Sequence, residues 1–166
     1  MKQYSKSVIG GLIISMFWLV VLIVHRAFWS RRLCQADNDK RYLQKYYDLL
    51  LRWKDNELKG KKISEILSER GYSKIAVYGM GKIGWILCDQ LMEEGMDIEY
   101  AIDRDADKLS YNAFSNIPDV RLKLPEEDLD PVDVIIVTAL VSFQEIKTNL
   151  QKRYSYAIMS IEELLQ

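Results

Sequence analysis

The apolar positions form one long run at the start of the chain and shorter patterns after it. Residues 8–24 read VIGGLIISMFWLVVLIV, 17 positions without a charge. As a helix this run is about 26 Å long, close to the bilayer's hydrocarbon thickness of about 30 Å. We therefore expect an N-terminal transmembrane helix. A cleaved signal peptide and a buried core helix are the alternatives, but no small-residue cleavage site follows the run.

Apolar positions after this run recur at helical spacing. Within residues 37–57, five side chains three or four positions apart form one stripe, namely Tyr42, Tyr46, Leu49, Leu50 and Trp53. The stripe predicts an amphipathic helix capped near residues 37–39 that packs against its own domain; an aromatic ligand platform is the alternative. A shorter helix is predicted before Gly71, and residues 33–72 together form a helical lead-in.

From residue 73 onward, short apolar runs alternate with helices, which is typical of parallel strands buried on both faces. The predicted strands are residues 74–78, 98–102, 120–124, 133–138 and 156–159. Right-handed crossovers give a doubly wound parallel sheet in the order 3-2-1-4-5, and Ser160 begins an S-x-x-E capping box for a last helix. The expected fold class is therefore α/β, a Rossmann-like sheet over 73–166 preceded by helices and by a membrane anchor in 1–32.

A glycine motif lies between the first predicted strand and the helix predicted over 82–94. Gly79, Gly81 and Gly84 form G-x-G-x-x-G in the sequence VYGMGKIG. In such motifs the first glycine allows a tight turn, the second lets a pyrophosphate approach the backbone, and the third lets the helix pack on the strand. The helix N-terminus adds N–H groups and partial positive charge. The motif predicts a nucleotide phosphate site; a tight turn that binds no ligand is the alternative.

Further polar residues are predicted to lie near the nucleotide. Asp103 ends the second strand, 19 residues after Gly84, where an acid would accept hydrogen bonds from ribose hydroxyls and repel a 2′-phosphate. Its alternative role is a structural cap for the following loop. Lys82 would neutralise phosphate or remain a solvated first-turn residue. Thr138 and Ser142 flank the same crevice, but the favoured alternatives are a β-branched strand residue and a helix N-cap.

Composition narrows the function classes. The chain has 23 Lys and Arg against 24 Asp and Glu, and residues 1–32 hold five of the bases and no acid. The acidic remainder gives no electrostatic reason to bind nucleic acid. His25 is the only histidine, and Cys34 and Cys88 form no CxxC pattern. A histidine general base, a metal site and a disulfide framework are therefore not expected, and no catalytic residue is assigned.

The sequence of residues 53–166 also resembles a known family. The segments KIAVYGMGKIG, DIEYAIDRD, VDVIIVTAL and MSIEELL are similar to those of the Rossmann-like N-terminal domains of membrane-anchored nucleoside-diphosphate-sugar dehydratases and epimerases. Those enzymes serve bacterial surface-polysaccharide biosynthesis, and related domains are appended to sugar transferases. The resemblance implies that the glycine loop holds nucleotide phosphates and that Asp103 holds ribose. This chain departs from the family by having a single apolar span and no second catalytic domain.

One leading expectation and two alternatives follow. The leading one is a single-pass membrane protein whose cytoplasmic domain binds NAD, a nucleoside diphosphate or a nucleotide-sugar as an accessory or sensor of surface-polysaccharide biosynthesis. The positive-inside rule supports this orientation, because basic residues are more numerous after residues 8–24 than before them. The alternatives are a regulatory or scaffold subunit whose Rossmann-like domain mediates protein–protein assembly, in a homo-oligomer or with a glycan-biosynthesis partner, and an NAD-dependent oxidoreductase completed by a partner chain. Tyr78 and Lys82 have Y-x-x-x-K spacing but straddle the glycine turn, so no catalysis is assigned to them.

Overall fold

The computed structural model describes residues 3–108 and 120–166. The chain divides into two units, Met1–Gln44 and Lys45–Gln166. Within the part that the structure describes, no helix is both long enough and apolar enough to cross a membrane. Residues 8–15 of the predicted span lie outside the described side chains.

Helix α1 covers Gln3–Leu58 and joins two segments that the sequence predicts as separate helices. The N-cap predicted near residues 37–39 is wrong, because Asp37 lies inside α1 and pairs with Arg41 at 2.8 Å. Residues 25–58 contain no Gly or Pro, so nothing in this stretch interrupts the hydrogen bonds from each N–H to the carbonyl four residues earlier.

Only part of the stripe predicted on α1 is buried. Leu49 and Trp53 are buried, and Tyr46 packs beside them, so this part packs against its own domain as the sequence predicts. Tyr42 and Leu50 are exposed instead. The buried stripe is therefore narrower than the five residues predicted.

A five-stranded parallel sheet forms the centre of the second unit. Its strands are β1 (Ile75–Tyr78), β2 (Ile98–Ile102), β3 (Leu122–Lys123), β4 (Val134–Val137) and β5 (Ala157–Ser160). The strand order β3-β2-β1-β4-β5 confirms the predicted topology. Strand β3 is shorter than predicted, and residues 109–119 before it lie outside the described part. The strand order reverses at β1, and open α/β sheets bind ligands at such a switch point.

The other helices follow the predicted order. They are α2 (Ile63–Glu69), α3 (Lys82–Glu93), α4 (Phe143–Gln151) and α5 (Ile161–Leu164), with a 3₁₀ turn over Ala106–Lys108. The Ser160 hydroxyl accepts a hydrogen bond from the Glu162 N–H, and the Glu163 carboxylate accepts one from the Ser160 N–H. The predicted capping box is therefore confirmed.

Both faces of the sheet are covered, because alternate residues of a strand point to opposite sides. Ile75 and Val77 of β1 belong to a core cluster with α1, α2, α3 and α5. Ala76 and Tyr78 belong to a second cluster, to which α4 contributes. A sheet covered on both faces favours continuous apolar strands such as the VIIV of β4, all four residues of which are buried.

One carboxylate ties the starts of β1 and β4 together. Asp133 Oδ2 accepts hydrogen bonds from Ser73 N, Ser73 Oγ and Lys74 N at 2.8, 3.0 and 2.8 Å. The bond from the Lys74 N–H, followed by those from Ser73, lowers the pKa of the Asp133 carboxyl below its usual 3.8. A lowered pKa in the folded state stabilises the fold above the unfolded-state pKa, and this contribution is lost as the pH falls through the folded-state value.

We expect Asp133→Asn to lower the urea midpoint of unfolding at neutral pH, with a difference from the native chain that shrinks as the pH falls below 3.8. Fluorescence of the buried Trp53 and Trp85 can follow unfolding of the chain in detergent. Asp97→Asn, at an exposed aspartate, is the matched control and should not change the midpoint. A difference that stays constant into the acid range would contradict the electrostatic origin of the effect.

Candidate functional site

The glycine turn connects β1 to α3. Gly79 has a φ of 98°, which a residue with a Cβ rarely adopts, so the predicted tight turn is present. A Cβ at Gly84 would lie 2.1 Å from the Gly79 carbonyl oxygen, whereas a Cβ at Gly81 would meet nothing within 4 Å. Gly81 is the N-cap of α3, and no side chain caps this helix. The turn is therefore crowded where α3 packs on β1 and open at Gly81.

Thr138 fixes this turn from the neighbouring strand. It follows β4, is buried, and its Oγ1 donates a hydrogen bond to the Gly79 carbonyl oxygen at 2.6 Å. Its backbone N–H donates to the Tyr78 carbonyl oxygen at 2.9 Å. The Thr138 hydroxyl therefore has a structural role in the turn. The favoured prediction treated Thr138 only as a β-branched strand residue and assigned its hydroxyl no role.

We expect Thr138→Val to destabilise the fold by about 1–3 kcal/mol. The Gly79 carbonyl oxygen would lose the hydrogen bond from Oγ1, and the buried valine that replaces Thr138 has no donor to restore it. Thr138→Ser keeps the hydroxyl and should cost clearly less. The urea midpoints of the two variants measure the difference. Equal midpoints would mean that this hydrogen bond does not stabilise the turn.

Asp103 joins the glycine turn to the loop after β2. Its Oδ2 accepts a hydrogen bond from the Met80 N–H at 2.6 Å, and its Oδ1 accepts one from the Asp105 N–H at 2.9 Å. The hydrogen bond from the Asp105 N–H caps the loop after β2, which is the alternative role that the sequence analysis considered for Asp103. A carboxylate has about four acceptor sites, so this side chain can hold the loops and still accept hydrogen bonds from a ligand.

A cavity of about 390 Å³ lies at the carboxyl ends of β1, β2 and β4. The strand ends contribute Tyr78, Gly79, Asp103 and Ala139. Helix α4 and its flanking residues contribute Ser142, Glu145, Ile146, Asn149, Leu150 and Arg153. The loops after β2 and β3 complete the lining with Arg104, Asp105, Pro125 and Glu126. The cavity thus occupies the switch point of the sheet.

The six residues predicted to bind a cofactor lie in three different settings. Two of them line the cavity, namely Gly79 and Asp103. Two are exposed where α3 begins, namely Gly81 and Lys82. Two are buried beside the turn, namely Gly84 in α3 and Thr138 after β4. Their contacts with a ligand stay predictions.

Helix α4 contributes four of the cavity residues that the sequence did not indicate, namely Glu145, Ile146, Asn149 and Leu150. Glu145 and Asn149 lie four positions apart on one face of α4, with Ser142 at its N-cap and Arg153 just beyond its C-cap. Ser142 lines the cavity from the N-cap position, although its side chain makes no capping bond. The signal for this face was present in the sequence, because the helix after the fourth strand adjoins the switch point.

Acidic side chains outnumber basic ones around the cavity. Asp103, Asp105, Glu126 and Glu145 line it against two guanidinium groups, those of Arg104 and Arg153. Arg153 donates hydrogen bonds to three backbone carbonyl oxygens of the loop after β3, at 2.8, 3.3 and 3.1 Å. These hydrogen bonds from the guanidinium group hold the loop that forms one wall of the cavity.

Comparison with known proteins adds no assignment. No protein family, characterised protein or solved structure matches this chain.

Two further observations concern reactive groups among the described residues. Cys88 is buried, and burial raises the pKa of its thiol to about 12, so the thiol is protonated at neutral pH. Among the residues that the structure describes, no group of three or more His, Cys, Asp or Glu side chains could hold a metal ion. What the site offers a ligand is carboxylate acceptors in the cavity and the N-terminus of α3 beside it.

Proposed function

We propose that this chain is a membrane-anchored accessory or sensor module of surface-polysaccharide biosynthesis that binds NAD, a nucleoside diphosphate or a nucleotide-sugar. The observation that carries the binding proposal is the Asp103 carboxylate, which is hydrogen-bonded to the Met80 N–H inside the glycine turn and lines the adjacent cavity. From there it can accept hydrogen bonds from ribose hydroxyls while the first turn of α3 holds phosphate. The resemblance of residues 53–166 to domains of nucleoside-diphosphate-sugar enzymes supports the polysaccharide context.

The proposed anchor is residues 8–24. Every side chain from 16 to 24 is at least 37% exposed, and all of them are apolar. An apolar surface around the whole helix is typical of a segment that faces lipid. Alkaline carbonate extraction tests the proposal: an anchored chain stays in the membrane pellet, whereas release into the supernatant would contradict it.

A ligand panel tests the binding proposal. The 166-residue chain in mild detergent can be examined by thermal shift and calorimetry with NAD, NADP, ADP, UDP and UDP-glucose. A ligand at 100 times its Kd should stabilise the fold by about 2.7 kcal/mol. NADP should bind more weakly than NAD, because the Asp103 carboxylate would repel a 2′-phosphate. The absence of a shift with every ligand would contradict nucleotide binding.

We expect Asp103→Asn to weaken nucleotide binding by about ten- to a hundredfold, because a hydrogen bond to a charged group contributes about 1.5–3 kcal/mol. It should also lower stability, since an amide has one acceptor oxygen for the two N–H groups of Met80 and Asp105. Calorimetry at a temperature where the variant is folded separates the two effects. Asp107→Asn, outside the cavity, is the control. An equal affinity of the native chain for ribose and deoxyribose nucleotides would contradict the ribose contact.

A second candidate function, a scaffold or regulatory subunit, is supported by an apolar stripe on α1. Tyr47, Leu51 and Leu58 are 61%, 51% and 76% exposed, and they lie roughly opposite the buried Leu49 and Trp53. Exposed apolar side chains that recur on one face of a helix can mark a protein interface. If copies associate through it, mass photometry should show a defined oligomer that Leu51→Lys disperses. A monomer at all concentrations would contradict self-assembly.

A further inference from the structure

Tyr78 differs from the other tyrosines on its side of the sheet. It is 8% exposed, yet its hydroxyl makes no hydrogen bond to any residue that the structure describes. The hydroxyls of Tyr100, Tyr154 and Tyr156 donate to backbone carbonyl oxygens at 2.7, 3.2 and 3.3 Å. Tyr78 lines the cavity, and its hydroxyl oxygen is not itself buried there, so a group that enters the cavity can reach it. The hydroxyl is therefore available to hydrogen-bond whatever occupies the cavity.

Tyr78 remains a neutral hydroxyl in this setting. Burial raises the pKa of Tyr78 above its usual 10.0; Arg104 opposes this shift, whereas the carboxylates of Asp103, Glu126 and Glu145 add to it. At neutral pH the hydroxyl is therefore protonated, and it can donate one hydrogen bond and accept another.

The charges around Tyr78 restrict the kind of group that fits. Four carboxylates line the cavity, and one of the two guanidinium groups, that of Arg153, is bonded to backbone carbonyls. A phosphate placed here would meet more negative than positive charge, and like charges at close range repel. A neutral group rich in O–H or N–H donors would instead satisfy the carboxylates, and Ser142 and Asn149 offer it further hydrogen bonds.

We propose that the cavity binds the uncharged, hydrogen-bond-donating part of a nucleotide ligand, and that Tyr78 and Glu145 recognise this part. This inference rests on the proposed nucleotide binding: the phosphates lie at the N-terminus of α3, and the neutral group enters the cavity. That group is either a terminal sugar or a base with an exocyclic amino group. Both sources present the same chemistry to the carboxylates.

Two matched ligand pairs distinguish the sources. ADP-ribose and ATP share the adenosine diphosphate part and differ in a terminal sugar against a terminal phosphate. ATP and ITP share the triphosphate and differ in the amino group of the base. We expect the native chain to prefer ADP-ribose over ATP by tenfold or more if a sugar enters the cavity, or ATP over ITP by tenfold or more if the base enters.

Two variants connect the preference to the named residues. Tyr78→Phe should weaken the preferred ligand about three- to tenfold and leave the disfavoured one unchanged, since a single hydrogen bond contributes about that much. Glu145→Lys should reduce a preference for ADP-ribose over ATP at least tenfold, because it replaces a carboxylate by an ammonium group that attracts phosphate. It should reduce a preference for ATP over ITP as well, because it removes a hydrogen-bond acceptor for the amino group of the base. Tyr100→Phe is the matched control: its hydroxyl bonds Asp130 rather than the cavity, so it should change stability and not affinity.

The outcomes separate this inference from the binding proposal. Equal affinities within both ligand pairs, or variants that change all ligands by the same factor, would overturn the cavity inference and leave phosphate binding at the glycine turn intact. Failure of ADP-ribose, ATP and ITP to bind would overturn the cavity inference, and failure of every ligand of the earlier panel as well would overturn both. A preference that Tyr78→Phe and Glu145→Lys both reduce supports the assignment.

Discussion

Gly84→Ala is expected to destabilise the sheet domain by about 3 kcal/mol or more, enough to unfold a large fraction of the chain. The added Cβ would lie 2.1 Å from the Gly79 carbonyl oxygen and 3.1 Å from its carbonyl carbon. Both are backbone atoms, so neither can rotate away as a flexible side chain would. At an exposed helix position the same substitution stabilises by about 1 kcal/mol, because alanine favours the helix. The sign of the change is therefore diagnostic of the close contact between α3 and β1.

Gly81→Ala is the matched control for Gly84→Ala. A Cβ at Gly81 meets nothing within 4 Å, and its φ of −72° suits any residue. We expect a loss of less than about 1 kcal/mol, because glycine is only moderately better than alanine as an N-cap. Urea unfolding of both variants in detergent, followed by tryptophan fluorescence, gives the comparison. Equal midpoints for the two variants would contradict the tight packing at Gly84.

The turn also explains why the fold was predictable from the sequence. The spacing of Gly79, Gly81 and Gly84 and the apolar strands on either side are local signals, and each follows from backbone geometry within a few residues. The handedness of crossovers then restricts the strand order to a few doubly wound arrangements, of which 3-2-1-4-5 is the simplest. The parallel sheet in the order 3-2-1-4-5 is confirmed for this reason.

The cavity was less predictable, because its walls depend on contacts between distant residues. The Thr138 hydroxyl bonds Gly79, 59 positions earlier in the chain, and Arg153 bonds carbonyl oxygens of the loop after β3. No local pattern encodes these pairs. Tyr78 illustrates the same limit. In the sequence, its Y-x-x-x-K spacing from Lys82 assigned it no function. Its hydroxyl becomes a candidate ligand contact only when its place in the cavity lining is known.

The N-cap predicted near residues 37–39 shows the opposite error, because the weight of a local capping signal was overestimated. An aspartate before an amphipathic stretch favours a helix N-terminus, but only if the preceding residues leave the helix. Residues 25–36 include no Gly or Pro that would end it, and the carboxylate pairs along the helix with Arg41. Capping residues therefore predict a helix start only together with a signal that stops the preceding helix.

Gly81→Asp is expected to abolish nucleotide binding while leaving the fold at least as stable as that of the native chain. Gly81 is the N-cap of α3 in extended backbone conformation, and no side chain caps the helix. Aspartate is a favoured N-cap, because its carboxylate accepts hydrogen bonds from N–H groups of the first turn. The same carboxylate would occupy the place proposed for the phosphates and repel them. Stability and affinity should therefore change in opposite directions.

Calorimetry with the best ligand of the panel should show at least a hundredfold loss of affinity for Gly81→Asp, equivalent to about 2.7 kcal/mol. Gly81→Asn has nearly the same size and also caps helices, but it carries no charge, so it should lose much less affinity and isolates the repulsion. The urea midpoint of each variant should equal or exceed that of the native chain. Binding that survives in Gly81→Asp would show that the phosphates do not lie at the N-terminus of α3, and a lowered midpoint would mean that Gly81 is required by the turn itself. Because Gly84→Ala should damage the fold and Gly81→Asp only the site, the two glycines separate the structural and the binding functions of one motif.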